Sequence, residues 1–226
     1  MMTGPSTKNI FNFLKQIAVN NNREWFAANK PAYQEAQQQF DGIVQQLIIG
    51  IARFEPEVAR LNIKDCTYRI YRDIRFSPDK APYKRHFGAY INSHGKKSLY
   101  AGYYFHIQPG ASLLAGGIWR LPTLLMRAIR QAIVDETDEF RKIVESESFK
   151  HAFPIIGEEQ LKTIPRGFPK DFPYPNYLRA KDFNVVTYLD DSFFDQRDWL
   201  DQVIDTFKLV KPYNDFLNYT IDEYEQ

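Results

Sequence analysis

The spacing of apolar residues changes period part-way along this chain, and that change restricts the available folds more than any other feature. Trp25, Phe26, Tyr33, Phe40, Val44, Leu47, Ile48 and Ile51 recur at helical spacing. Between residues 100 and 108 the rule becomes alternation. Tyr103, Phe105 and Ile107 fall on one side of an extended chain, with Tyr104 and His106 on the other. Helical spacing returns after Pro122, with Leu125, Ile129 and Ile133. Helices at both ends with alternating segments between them predict an α+β fold, a central, mostly antiparallel sheet flanked by N-terminal and C-terminal helices. No linker or repeat interrupts residues 1–226, so a single domain is expected.

Local signals refine this outline. Ser6 or Thr7 can cap a first helix carrying Ile10, Leu14 and Ile17, and the Asn20-Asn21-Asn22 cluster stops it. Asn21 with Glu24 three positions on resembles a capping box for the next helix, which Pro31 should kink or split. Thr67–Tyr71, 88–92, 100–108, 112–119 and 184–188 read as strands, and Pro109-Gly110 as a turn. A helix opens at Pro122, a shorter one covers about 138–147, and five prolines make 154–175 irregular. Two closing helices are expected over about 192–209 and 212–223, the second opened by Pro212.

Composition excludes several classes. Aromatic residues reach 15%, too many for a disordered chain. Cys66 is the single cysteine, so no internal disulfide forms and nothing argues for secretion. The N-terminal residues lack a signal-peptide pattern, and no apolar run is long enough to span a membrane; cytoplasmic is the default expectation. Net charge is +1, which gives no general attraction to nucleic acid or acidic membranes. The charge is unevenly spread, however. Residues 69–86 hold six cations against Asp73 and Asp79, whereas residues 186–226 hold ten carboxylates against three cations.

The basic stretch reads Arg69-Ile-Tyr-Arg72-Asp73-Ile-Arg75-Phe76-Ser-Pro-Asp79-Lys80-Ala-Pro-Tyr83. The pattern R-x-x-R-D-x-R-F-x-x-D-K-x-x-Y resembles the signature of an uncharacterised, mainly bacterial family, domain-of-unknown-function family 2461. Asn-Asn-Arg-Glu-Trp-Phe at 21–26, and Tyr-Phe-His-Ile-Gln at 104–108 leading to Gly116-Gly117, agree with that resemblance. Pro31 departs from it, standing where an ordinary helix former is expected. The resemblance covers nearly the whole chain, and it implies boundaries without an activity.

Function must therefore be read from side chains. Arg69, Arg72 and Arg75, with Lys80, can surround a phosphate or carboxylate, because guanidinium forks match those groups and stay charged when partly buried. Tyr83 and His106 would stand nearby, joined by Lys84 and His86, while Asp73 and Asp79 orient the arginines. The competing reading makes the arginines internal braces, or contacts for another protein. A third makes the basic and aromatic segment 69–87 a nucleic-acid contact, against which the near-zero net charge counts. His86, Asp79 and His106 show no metal-ligand spacing of a known kind. Gly116-Gly117 lacks the dinucleotide-loop order, and no Walker loop, G-x-S-x-G or H-E-x-x-H is present, so no cofactor or metal is implied. The expected partner is an anionic small molecule; whether the site is catalytic, and the oligomeric state, stay open.

Overall fold

The computed structural model of the chain describes residues 4–225. Its order is α1 (Lys8–Val19), α2 (Arg23–Ala28), α3 (Lys30–Ile51), a 3-10 turn (Pro56–Arg60), α4 (Ile63–Cys66), β1 (Phe87–Ile91), β2 (Gly102–Ile107) and β3 (Ser112–Ile118). There follow α5 (Thr123–Asp135), α6 (Thr137–Val144), α7 (Glu147–Ala152), α8 (Pro175–Arg179), β4 (Phe183–Leu189), a second 3-10 turn (Asp191–Asp195) and α9 (Trp199–Glu225). The four strands form one antiparallel sheet in the order β1-β2-β3-β4, so the fold is α+β. Among the described residues no helix is long and apolar enough to cross a membrane.

By proximity the chain groups into two compact units. The first comprises the chain up to Lys96, with Tyr104–Leu114 and Tyr188–Ile204; the second comprises Lys97–Tyr103, Ala115–Thr187 and the chain from Asp205 onward.

Unit 1 is organised around rings. α1 packs on α3, burying Ile10, Leu14 and Ile17. Phe13 meets Trp25, Phe26, Tyr33 and Phe87; Phe87 stacks with Phe40, and Phe40 with Phe105 (6.0 Å between ring centres). Phe105 in turn stacks on Trp199. The alternation in β2 is realised as expected, with Tyr103, Phe105 and Ile107 fully buried and Tyr104 and His106 only half-buried. Pro31 splits the long N-terminal helix by opening α3, where the missing N–H costs nothing. Asn22, not Asn21, caps α2, accepting from the Trp25 N–H at 2.9 Å.

Unit 2 has its own core, in which Phe140 meets Tyr177, Tyr213 and Phe216, and Tyr213 meets Phe149. Here two expectations are corrected. The helix expected over 138–147 is two helices, α6 and α7, separated at Glu145-Ser146. The two helices expected at the C-terminus are instead one, because α9 runs through Pro212. A proline inside a helix removes one backbone bond. Burial of Phe207, Val210, Tyr213, Leu217 and Ile221 on both sides of it outweighs that loss.

Gly117 has φ of 80°, and a Cβ there would stand 2.0 Å from the Phe183 carbonyl oxygen. Gly110, in the β2–β3 turn, has φ of 70° but open space around it. Gly117→Ala should therefore lose about 3 kcal/mol or more and Gly110→Ala only about 1 kcal/mol. Urea denaturation of the two variants checks this; equal losses would mean that backbone conformation alone matters at both positions.

Candidate functional site

Between Cys66 and β1 the chain runs out and returns. Residues 67–72 lie antiparallel beside 82–89, joined at Thr67↔Ala89 and Tyr71↔Tyr83. The N–H groups of Tyr68, Lys84 and Arg72 donate to the carbonyls of Gly88 (3.1 Å), Ile70 (2.8 Å) and Pro82 (2.9 Å). The strand expected at 67–71 is thus two isolated bridges, because between them three residues, 68–70, face five, 84–88, and the register does not carry through.

The connecting loop, 73–81, is held by the charged residues of the motif. Arg72 Nη1 donates to Asp79 Oδ2 (2.7 Å) and the Ala81 carbonyl (2.9 Å), and Nη2 to Ser77 Oγ (3.3 Å). Asp79 Oδ1 accepts the Ala81 N–H at 2.9 Å, and these bonds hold its carboxyl below the usual range. Arg75 grips Asp73 through two bonds, Nε to Oδ1 (3.0 Å) and Nη2 to Oδ2 (2.7 Å), holding that carboxyl down to about 2. Lys80 Nζ donates to the Ile74 carbonyl. Of the eight residues singled out, Arg72, Asp73, Arg75, Asp79 and Lys80 therefore bond to one another or to their own loop. Phe76 stands at its tip, 94% exposed.

Tyr83 anchors the returning arm. Its ring stacks on Phe26 at 4.0 Å and 13° and is 5% exposed. Asn21 Nδ2 donates to the Tyr83 carbonyl and Asn21 Oδ1 accepts the Tyr83 N–H, both at 3.0 Å. Asn21 is freed for this by the shift of the α2 cap to Asn22.

The remaining two, Arg69 and His106, belong with groups that the motif only partly contains. On the face of β1 and β2 turned away from the aromatic core stand Tyr68, Lys84, His86, Tyr104, His106 and Gln108, all half-buried. The His86 and His106 rings are 4.2 Å apart. With the Gln108 amide oxygen facing it at 3.2 Å, His106 Nε2 carries the proton, and Nδ1 accepts from the Tyr104 hydroxyl at 3.0 Å. Gly88 makes room for that hydroxyl, since a Cβ there would lie 2.7 Å from it. Lys84 Nζ sits 5.2 Å over the Tyr68 ring.

Electrostatically this face is one-sided. Burial, the neighbouring His106 and Lys84 push His86 down to about 3. Burial first, and Lys84 after it, lower His106, against the opposing Gln108 bond. Burial and then Arg69 lower Lys84. No carboxylate of a described residue acts on any of the three. Asp73 does feel Arg69, yet its oxygens are already taken by Arg75. The side chains of Arg69, Lys84 and His86 make no hydrogen bond or salt bridge with any described residue. Among the described residues no group of three or more His, Cys, Asp or Glu is placed to hold a metal ion. Cys66 is fully buried with its thiol pushed up to about 11, which makes it a packing residue.

His86 supplies a pH test. Its unfolded form takes a proton near 6.5 and its folded form only near 3. Between those values the unfolded state holds more protons, so stability falls as pH falls, by at most about 1.4 kcal/mol per unit. In His86→Phe, thermal melts between pH 7 and 4 should show a flatter decline than wild type. An unchanged slope would show that His86 is not held neutral.

Residues 9–216 match one family model, that of a conserved hypothetical protein family, DUF2461. No curated protein and no solved structure matches the chain.

Proposed function

The chain belongs to the conserved hypothetical protein family DUF2461, and on that premise we propose that it binds a phosphate- or carboxylate-bearing small molecule on the outer face of β1 and β2, between Arg69, Lys84, His86 and His106. The observation that carries the proposal is the uncompensated positive character of this face. Lys84 and Arg69 disfavour each other, and both histidines are held neutral. Such an arrangement costs stability in the empty protein and is relieved by an anion, the pattern expected where function outweighs folding. Arg69 and Lys84 supply charge. His86, whose ring nitrogens are unbonded, gains a proton beside the ligand, and Tyr104 with Gln108 holds the His106 ring in place. Within the motif, Arg72, Arg75, Asp73, Asp79 and Lys80 shape the loop that carries Arg69 and Lys84 on its two arms. Tyr83 fixes the returning arm.

A second reading rests on Phe76. A ring 94% exposed, with the Arg75 guanidinium 5.9 Å away, suits stacking against a nucleic-acid base.

Titration calorimetry with inorganic phosphate, pyrophosphate, a sugar phosphate and a dicarboxylate separates the two. A bound anion raises the histidine pKa values, so one of these should bind more tightly as pH falls from 7.5 to 5.5, with proton uptake that varies with buffer ionisation heat. Lys84→Met and Arg69→Met should weaken it at least tenfold (about 1.4 kcal/mol) while melting no lower than wild type. Phe76→Ala should leave it unchanged. Failure of every anion to bind, or binding indifferent to Lys84 and Arg69, overturns the proposal. Salt-sensitive oligonucleotide binding lost in Phe76→Ala would support the second reading instead.

A further inference from the structure

Unit 2 holds a cleft of about 270 Å³ between α7 and α8, independent of the site proposed above. Its apolar lining includes Val144, Phe153 and Ile156, with Ile155 exposed at 62%. Its polar lining includes Lys150, Arg179 and Gln160.

These polar groups are incompletely used. Arg179 commits Nη2 to Asn176 Oδ1 at 2.7 Å, and its Nε–H is buried without a partner. Gln160 donates through Nε2 to the Ile156 carbonyl at 3.1 Å, leaving its buried Oε1 unbonded. Tyr177, which lines the cleft, is bonded to a carboxylate that is already engaged. Glu145 accepts from Arg141 Nη2 (2.9 Å) and from the Tyr177 hydroxyl (2.8 Å), bonds that together with Lys150 keep it ionised. Lys150 and Arg179 therefore bring positive charge to the cleft.

We infer that this cleft is a binding site for a small organic acid, its carboxylate on Arg179 and Lys150 and its apolar body against Val144, Phe153 and Ile156. A planar guanidinium with unused donors receives a carboxylate in two bonds. The apolar lining gains from covering a hydrocarbon body but offers nothing to a sugar or a bare phosphate. The volume lies just below the range usual for small-molecule pockets, which limits the ligand to a short branched, linear or single-ring body.

The test uses the full chain with phenylacetate and hexanoate, each against its matched alcohol, by calorimetry and by amide chemical shifts of residues 144–160 and 176–180. The expected result is saturable binding of at least one acid, with the alcohol at least tenfold weaker. Lys150→Met should weaken the acid at least fivefold and Arg179→Met should abolish it, while Lys30→Met, at an exposed lysine of the other unit, leaves it unaltered. If Arg179→Met unfolds, the exposed Lys150 decides alone. Absence of saturable binding by either acid, equal binding of acid and alcohol, or full affinity in Lys150→Met overturns the inference.

Discussion

The Tyr83–Phe26 stack is the contact on which the charged half of unit 1 depends. Two rings at 4.0 Å, with Asn21 bonded to both backbone groups of Tyr83, fix a chain segment that otherwise pairs with its neighbour at only a few points. From Phe26 the contact continues through Phe13 and Phe87 to Phe40 and Phe105. Lys84 and His86 follow Tyr83 in the chain, so their positions on the outer face are inherited from that buried ring. The aromatic share of the composition acquires a use here: rigid side chains with few torsions hold an irregular segment at low entropic cost.

Arginine serves three different ends in this protein. Arg72 and Arg75 close a loop upon itself through Asp79 and Asp73; the Arg75–Asp73 pair is open to water, where ion pairs add little to global stability, and Arg72 is part-buried. Their effect is local order. Arg130 is a true interior arginine, giving Nε to the Leu178 carbonyl and Nη2 to the Ala180 carbonyl with no acid involved. Arg69 does neither; it is exposed and unbonded beside Lys84. A dense run of cations is thus mostly scaffold, and the informative members are those that the scaffold leaves over.

Much of the architecture was legible in the residues. The change from helical to alternating spacing marked β2 and its buried face, Pro31 marked the start of α3, and Pro109-Gly110 marked the β2–β3 turn. The α+β class followed from the same signals. Pro212 misled because a local rule was outweighed by burial along the whole of α9. Asn21 misled because its partner is Tyr83, sixty-two positions away, and no local pattern announces such a bond. For the site, the motif drew attention to Arg72, Arg75 and Lys80, whose partners lie within ten residues. The grouping of Lys84 and His86 with Tyr68, Tyr104 and Gln108 depends on strand register, which spacing alone does not determine. The motif had brought Lys84 and His86 near His106, and the alternation of Tyr104 and His106 placed those two on one face.

The isolated bridges have a consequence for how this protein behaves among copies of itself. β1 and β4 are the outermost strands of the sheet, and a bare outer strand invites another chain to add to it. Each is instead occupied by an irregular stretch of its own chain. Thr67 lies against β1, and Ile156 against β4 at Val185. Both stretches run into prolines, Pro78 and Pro82 on one side and Pro154 and Pro165 on the other, which cannot donate to a growing ladder. Neither stretch offers a regular row of donors and acceptors outward. The irregularity of these segments works against another chain extending the sheet at those points.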